Sequence, residues 1–121
     1  MPVKPPQIPF EGVLGCGFLQ PDGEGQWHNL AQGPGEAEGL TALRIGSETF
    51  RVVRMYRLKL HRLRLSTPSG ALFLATDKGI TVALLLGDDA SGAAGMSEVW
   101  TWLEAWLGRL EVVTVSGGRT D

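Results

Sequence analysis

The sequence predicts an α+β domain: one five-stranded antiparallel sheet with helices, in the order ββαβββα. Three observations predict it. Two apolar stretches near the start are separated by Pro21-Asp22-Gly23 and read as a hairpin. A long segment, Glu36 to Tyr56, carries apolar residues at a period near 3.6. Three short apolar stretches then follow across tight turns, and a tryptophan-rich helical pattern closes the series. These elements take up nearly all of the 121 residues, so a single domain over 1–121 is expected.

The first ten residues hold Pro2, Pro5, Pro6 and Pro9 and read as an extended arm. Gly12 to Gln20 forms the first strand, and Gln26 to Leu30 returns as the second. Glycines at 12, 15 and 17 are unusual inside a strand; they point to close approach of another backbone or a helix. Gly33-Pro34-Gly35-Glu36 opens the long helix, with Pro34 suited to the first turn and Glu36 to its positive end.

On that helix Ala42, Leu43, Ile45, Phe50, Val52, Val53 and Tyr56 share one side, and Arg44, Ser47, Glu48, Arg51 and Arg54 the other. The apolar side covers more than the roughly 100° stripe that packing on one sheet requires. The helix is therefore expected to bury against two neighbours, its own sheet and a second body. Gly39 and Gly46 each weaken it by about 1 kcal/mol relative to alanine, which fits a second helix coming close.

Leu60 to Thr67 reads as the third strand, with Leu63 and Leu65 alternating against Arg62 and Arg64. Ala71 to Thr76 and Ile80 to Leu86 follow across Ser69-Gly70 and Lys78-Gly79. The last of these is the most continuously apolar and should be central. Asp88 to Gly95 is a loop of small residues. Ser97 is the expected N-cap of a helix to about Leu110, with Met96, Val99, Trp100, Trp102, Leu103, Trp106, Leu107 and Leu110 on its broad apolar face. Residues 111–121 are expected to fray.

Composition excludes several roles. A net charge of −2 gives no global pull toward nucleic acid or anionic membrane. No apolar run is long enough to span a bilayer, and the start is not a signal peptide. One cysteine, Cys16, cannot pair internally, which fits a reducing cytoplasm. Cys16 with His28 is the one arrangement that could support a small cysteine-dependent enzyme, but a buried inert thiol is the better reading. Two histidines and a cysteine are too few and too scattered for zinc. Asp88 and Asp89 lack the spaced oxygen ligands of a hard-cation loop. The glycines at 33, 35 and 39 miss the dinucleotide spacing by one residue. No cofactor is expected.

Arg51, Arg54, Arg57, Lys59, Arg62 and Arg64 form a basic run with no acid between Glu48 and Asp77. The simplest reading is a solvated helix face followed by a charged edge strand. Its functional reading is an acidic protein partner; nucleic acid would call for more stacking aromatics than Tyr56.

The ordered set resembles the roadblock / dynein light chain family. The opening hairpin GVLGCGFLQPDGEGQ carries part of the likeness, and the meander with its Ser-Gly and Lys-Gly turns another. The strand, small-residue loop and helix of TVALLLGDDASGAAGMSEVWTWLEAWL complete it. Many members begin with a helix; here the proline-bearing arm stands in that place. The resemblance implies a profilin/roadblock-like sandwich. It also implies a homodimer in which the central helices pair and the third strands meet edge to edge. Family members regulate or scaffold, and bacterial ones act with small Ras-like GTPases in signalling.

From this follow the candidate residues: Leu43, Gly46, Phe50, Val53, Arg62 and Arg64 at a dimer interface, and Arg44, Arg51, Arg54 and Trp100 toward a partner. Arg62 and Arg64 would repel their copies near a two-fold axis unless staggered or paired with acids. The expected role is non-enzymatic. The alternative is a profilin- or PAS-like sensor with a ligand pocket lined by Phe18, Trp27 and Phe73.

Overall fold

The structure, a computed structural model, describes residues 5–9, 12–29, 35–87 and 96–119, with the backbone alone at 96 and 111–119. Its elements are β1 (Val13–Leu19), β2 (Gly25–Asn29), α1 (Glu36–Met55), β3 (Arg62–Thr67), β4 (Gly70–Asp77), β5 (Ile80–Gly87) and α2 (Met96–Arg119). The five strands form one sheet in the order β2-β1-β5-β4-β3, each antiparallel to its neighbours. The apolar β5 lies at the centre, as its composition predicts. The expected ββαβββα order and the antiparallel α+β architecture are both present.

The helices cover opposite faces. α1 lies over β1, β2, β5 and β4, burying Leu43 and Phe50 among Leu72, Leu74, Ala83 and Leu85. α2 packs on β4 and β5, burying Val99, Leu103, Trp106 and Leu110 against Phe18, Phe73, Val82 and Leu84. The strict alternation of side chains along β4 and β5 supplies both cores, which is why these two strands are buried at nearly every position. β1 departs from alternation. Its register shifts between Val13 and Gly15, so Val13 and Cys16 share the α2 side while Leu14 goes to the α1 side.

Glu36 and Glu38 sit in the first turn of α1 and Arg54 in its last, matching the helix dipole at both ends. Gly39 and Gly46 are turned toward the sheet of their own subunit. Gly39 lies against the Trp27 indole and Gly46 against the Leu74 side chain, both from the sheet. The glycines of β1 serve the same purpose. A Cβ on Gly15 would come within 2.6 Å of the Trp27 ring, and one on Gly17 within 2.7 Å.

Other boundaries move. β3 begins at Arg62, because Arg57 turns the chain with a positive φ of 62° and the following residues reach the sheet only there. α2 starts one residue before Ser97, which lies in its first turn and is not its cap. It continues to Arg119, past the predicted stop at Leu110. Nothing between Leu110 and Ser116 removes a backbone donor, and β-branched residues cost a growing helix only tenths of a kcal/mol each. The expected roles of Leu30, of Pro34 at the start of α1, and of the Asp88–Gly95 loop lie outside the described residues.

The described part of the arm, residues 5–9, forms neither helix nor strand, and it is tied down. The Trp102 Nε1–H donates to the Gln7 carbonyl at 3.2 Å, and Ile8 packs on the α2-side core. These described residues of the arm add cover on the α2 side of the sheet.

Candidate interaction surface

Along α1 the residues divide by exposure. Leu43 is fully buried, Phe50 is 3% exposed, and Gly46 is buried beneath them. These three expected interface residues are therefore enclosed in their own subunit and cannot reach a second body. The broad apolar side of the helix is left to others. Ile45 is 56% exposed, Val52 40%, Met55 68% and Tyr56 75%, with Val53 half-buried beside them. Ile45 and Val52 are seven residues apart and share a stripe with Tyr56, at the edge of the apolar side and turned away from the sheet-facing Leu43, Gly46 and Phe50. Ile45, Val52 and Tyr56 were on the predicted apolar side; Met55 and exposed Leu58 were missed. Phe50 and Val52 stand roughly 200° apart around the helix, so one faces the sheet and the other faces away from it.

The arginines flank this stripe. Arg44, Arg51 and Arg54 are all exposed. Arg51 Nε–H donates to Glu48 at 2.9 Å, and a second guanidinium nitrogen bonds the other carboxylate oxygen. That hydrogen bond holds the Glu48 carboxyl below the usual carboxylate range. Arg51 also reaches the Met55 sulfur at 3.7 Å.

β3 is an edge strand of the sheet. On its α1 side Leu63 and Leu65 are half-buried, resting on the core around Leu72 and Leu74. On its other side Arg62 ion-pairs with Glu104 of α2, and its guanidinium lies 5.4 Å from the Trp100 ring. The Arg64 guanidinium lies 5.6 Å from the Phe73 ring. Trp100 is half-buried, edge-on to Phe73 at 5.4 Å, while Trp102 is 5% exposed in the core. The partly open tryptophan is thus Trp100, and its open face is taken up by Arg62.

The other sequence candidates separate. Phe18 and Phe73 face α2, whereas Trp27 faces α1, so the three do not line one pocket. Cys16 and His28 are cross-strand partners, yet the thiol is fully buried and burial pushes it up to about 11. A thiol so placed is protonated at neutral pH and closed to substrate. Among the described residues no group of three or more His, Cys, Asp or Glu gathers as a metal would require. None of their helices is long and apolar enough to cross a membrane.

No protein-family model matches the sequence, and no curated protein matches it. Similarity is found at the level of structure. The crystal structure of a Roadblock/LC7 domain from Streptomyces avermitilis superposes with a TM-score of 0.61, covering 85% of this chain and 89% of that one, at 18% identity. The sheet order, the two covered faces and this superposition together establish that the chain has the roadblock/LC7 fold.

Proposed function

We propose that this protein is a homodimeric regulatory or scaffold module of the cytoplasm that binds a small Ras-like GTPase. The observation that carries the reading is the exposed apolar stripe of α1, Ile45 to Tyr56, on the same side of the sheet as the half-buried Leu63 and Leu65 of the open strand β3. A lone subunit gains nothing from holding Ile45 and Val52 in water, and a second copy would cover them. The arginines of β3 favour this arrangement. Arg62 is paired with Glu104 and Arg64 lies on Phe73, which lessens their repulsion across a two-fold axis.

Arg44, Arg51 and Arg54 then rim the assembled surface and would face the GTPase. Any effect on hydrolysis would come from ordering the GTPase's own switch loops. Light scattering tests the assembly: a particle of twice the chain mass is expected, and a strict monomer at high concentration removes the dimer. Pull-down with Ras-like GTPases encoded beside this protein, loaded with GTP or GDP, tests the partner. Absence of binding in both states removes that half of the reading.

A further inference from the structure

Where α1 gives way to β3 the chain runs through six consecutive exposed residues, Arg54 to Lys59. Three are large and apolar: Met55 is 68% exposed, Tyr56 75% and Leu58 62%. The other three, Arg54, Arg57 and Lys59, are cations. Met55 lies on the polar side of the helix beside Arg51, and Leu58 follows the helix end, so neither belongs to the stripe that a second copy would cover. A hydrogen-bonded turn shapes the segment. The Arg57 N–H donates to the Arg54 carbonyl at 2.9 Å, and Arg57 takes left-handed backbone at φ 62°. Glycine suits that position best, so the turn carries a cation there at a conformational cost.

The charge here opposes that of the whole chain. The protein carries a net −2, yet no acid occurs between Glu48 and Asp77. Glu48 is taken up by Arg51. Among the described residues neither Arg57 nor Lys59 has an ion-pair partner. Asp77 lines one recess with Lys59 but lies beyond ion-pair distance of it. These two cations are also the part of the basic run that neither the proposed dimer nor its partner surface uses.

This chemistry selects the surface. A rigid partner would need a matching pocket for each projecting apolar side chain. A fluid bilayer takes such side chains without one and sets no fixed spacing on the cations among them. Nucleic acid would pair the cations and leave Met55 and Leu58 in water. Tyrosine suits the headgroup level, and long cationic side chains reach the headgroups while their stems stay in apolar surroundings. We propose that this segment docks the protein peripherally on an anionic lipid surface. Met55 and Leu58 insert among the lipids, Tyr56 lies at the headgroup level, and Arg57 and Lys59 engage the anionic headgroups. This goes beyond the GTPase reading and does not depend on it.

The probe is a vesicle of phosphatidylcholine with phosphatidylserine, set against a vesicle of phosphatidylcholine alone. Binding of the full chain is read by flotation. The expected result is recovery with the anionic vesicles only, falling as salt is raised. Arg57→Glu with Lys59→Glu should lower partitioning about tenfold or more. Met55→Ser with Leu58→Ser should lower it about threefold or more, while the binding that remains keeps its salt dependence. All four substitutions fall on exposed residues, and circular dichroism checks that the fold is kept. The proposal is overturned if anionic vesicles bind no better than neutral ones, or if either double variant binds them as tightly as the native protein. It is equally overturned if polyglutamate or single-stranded RNA binds through Arg57 and Lys59 while vesicles do not. A double variant that alters particle mass but not vesicle binding would overturn it too, and would assign the segment to contact between copies.

Discussion

Gly39 of α1 rests on the indole of Trp27 of β2, with no side chain between them. The ring is held from the opposite side by Gly15 and Gly17 of β1, so three glycines form a slot for one tryptophan. This contact sets how closely the helix approaches the hairpin. It explains why a helix would carry a residue that costs it about 1 kcal/mol in propensity.

Gly39→Ala should therefore lower stability by about 1–3 kcal/mol, because the added methyl overlaps a ring that cannot move into β1. Propensity alone predicts the opposite sign. Gly108 of α2 is the control: it is exposed, and a Cβ there meets nothing within 4 Å. Gly108→Ala should raise stability by about 0.5–1 kcal/mol. Urea unfolding of the two variants reads both signs.

The glycines mark where sequence reasoning stopped. Their presence in β1 and α1 signalled close approach, but not of what, since a lone glycine has no pattern that names its neighbour. The order of elements was legible because turns such as Asp77-Lys78-Gly79 have a local chemistry and β5 is apolar throughout. The inner and outer residues of α1 were not separable, because its apolar side covers about half the circumference and hydrophobicity alone does not mark which part of that arc the sheet takes. Exposed Met55 lies on the polar side beside Arg51, and Leu58 follows the end of the helix, so neither belongs to the apolar pattern. Arg54, Lys59 and Lys78 line one recess beside the β4–β5 turn, although they come from separate parts of the chain that only folding brings together.

Arg57 ends α1 with φ 62°, its N–H donating to the Arg54 carbonyl at 2.9 Å. Glycine is the usual residue at this position of a helix terminus. Arg57→Gly should raise stability by about 0.5–1 kcal/mol, the relief of left-handed strain being partly offset by a freer unfolded chain. Thermal unfolding checks it, and a fall in melting temperature would show that the Arg57 side chain supports the fold.

Cys16 supplies the pH dependence. Its thiol is raised from 9.0 to about 11 by burial, so folding favours the neutral form. The unfolded chain loses this proton first as pH rises. The associated stability, about 2–3 kcal/mol, is therefore whole below pH 9.0 and is lost as pH climbs through about 11. Urea midpoints measured across that window should fall more steeply for the native protein than for Cys16→Ala. At neutral pH, Cys16 should react with a thiol reagent only after denaturant is added.

Phe50 and Val52 separate folding from assembly. Phe50 is 3% exposed in the α1-side core, so Phe50→Ala should cost about 3–5 kcal/mol of stability. Val52 is 40% exposed on the outer stripe, so Val52→Glu should leave the subunit's fold intact, with a native circular dichroism spectrum. In the proposed dimer, Val52→Glu places two carboxylates beside an apolar seam and should halve the particle mass. Light scattering on both variants decides the point. If Val52→Glu leaves the mass unchanged, the outer stripe of α1 is not where copies meet.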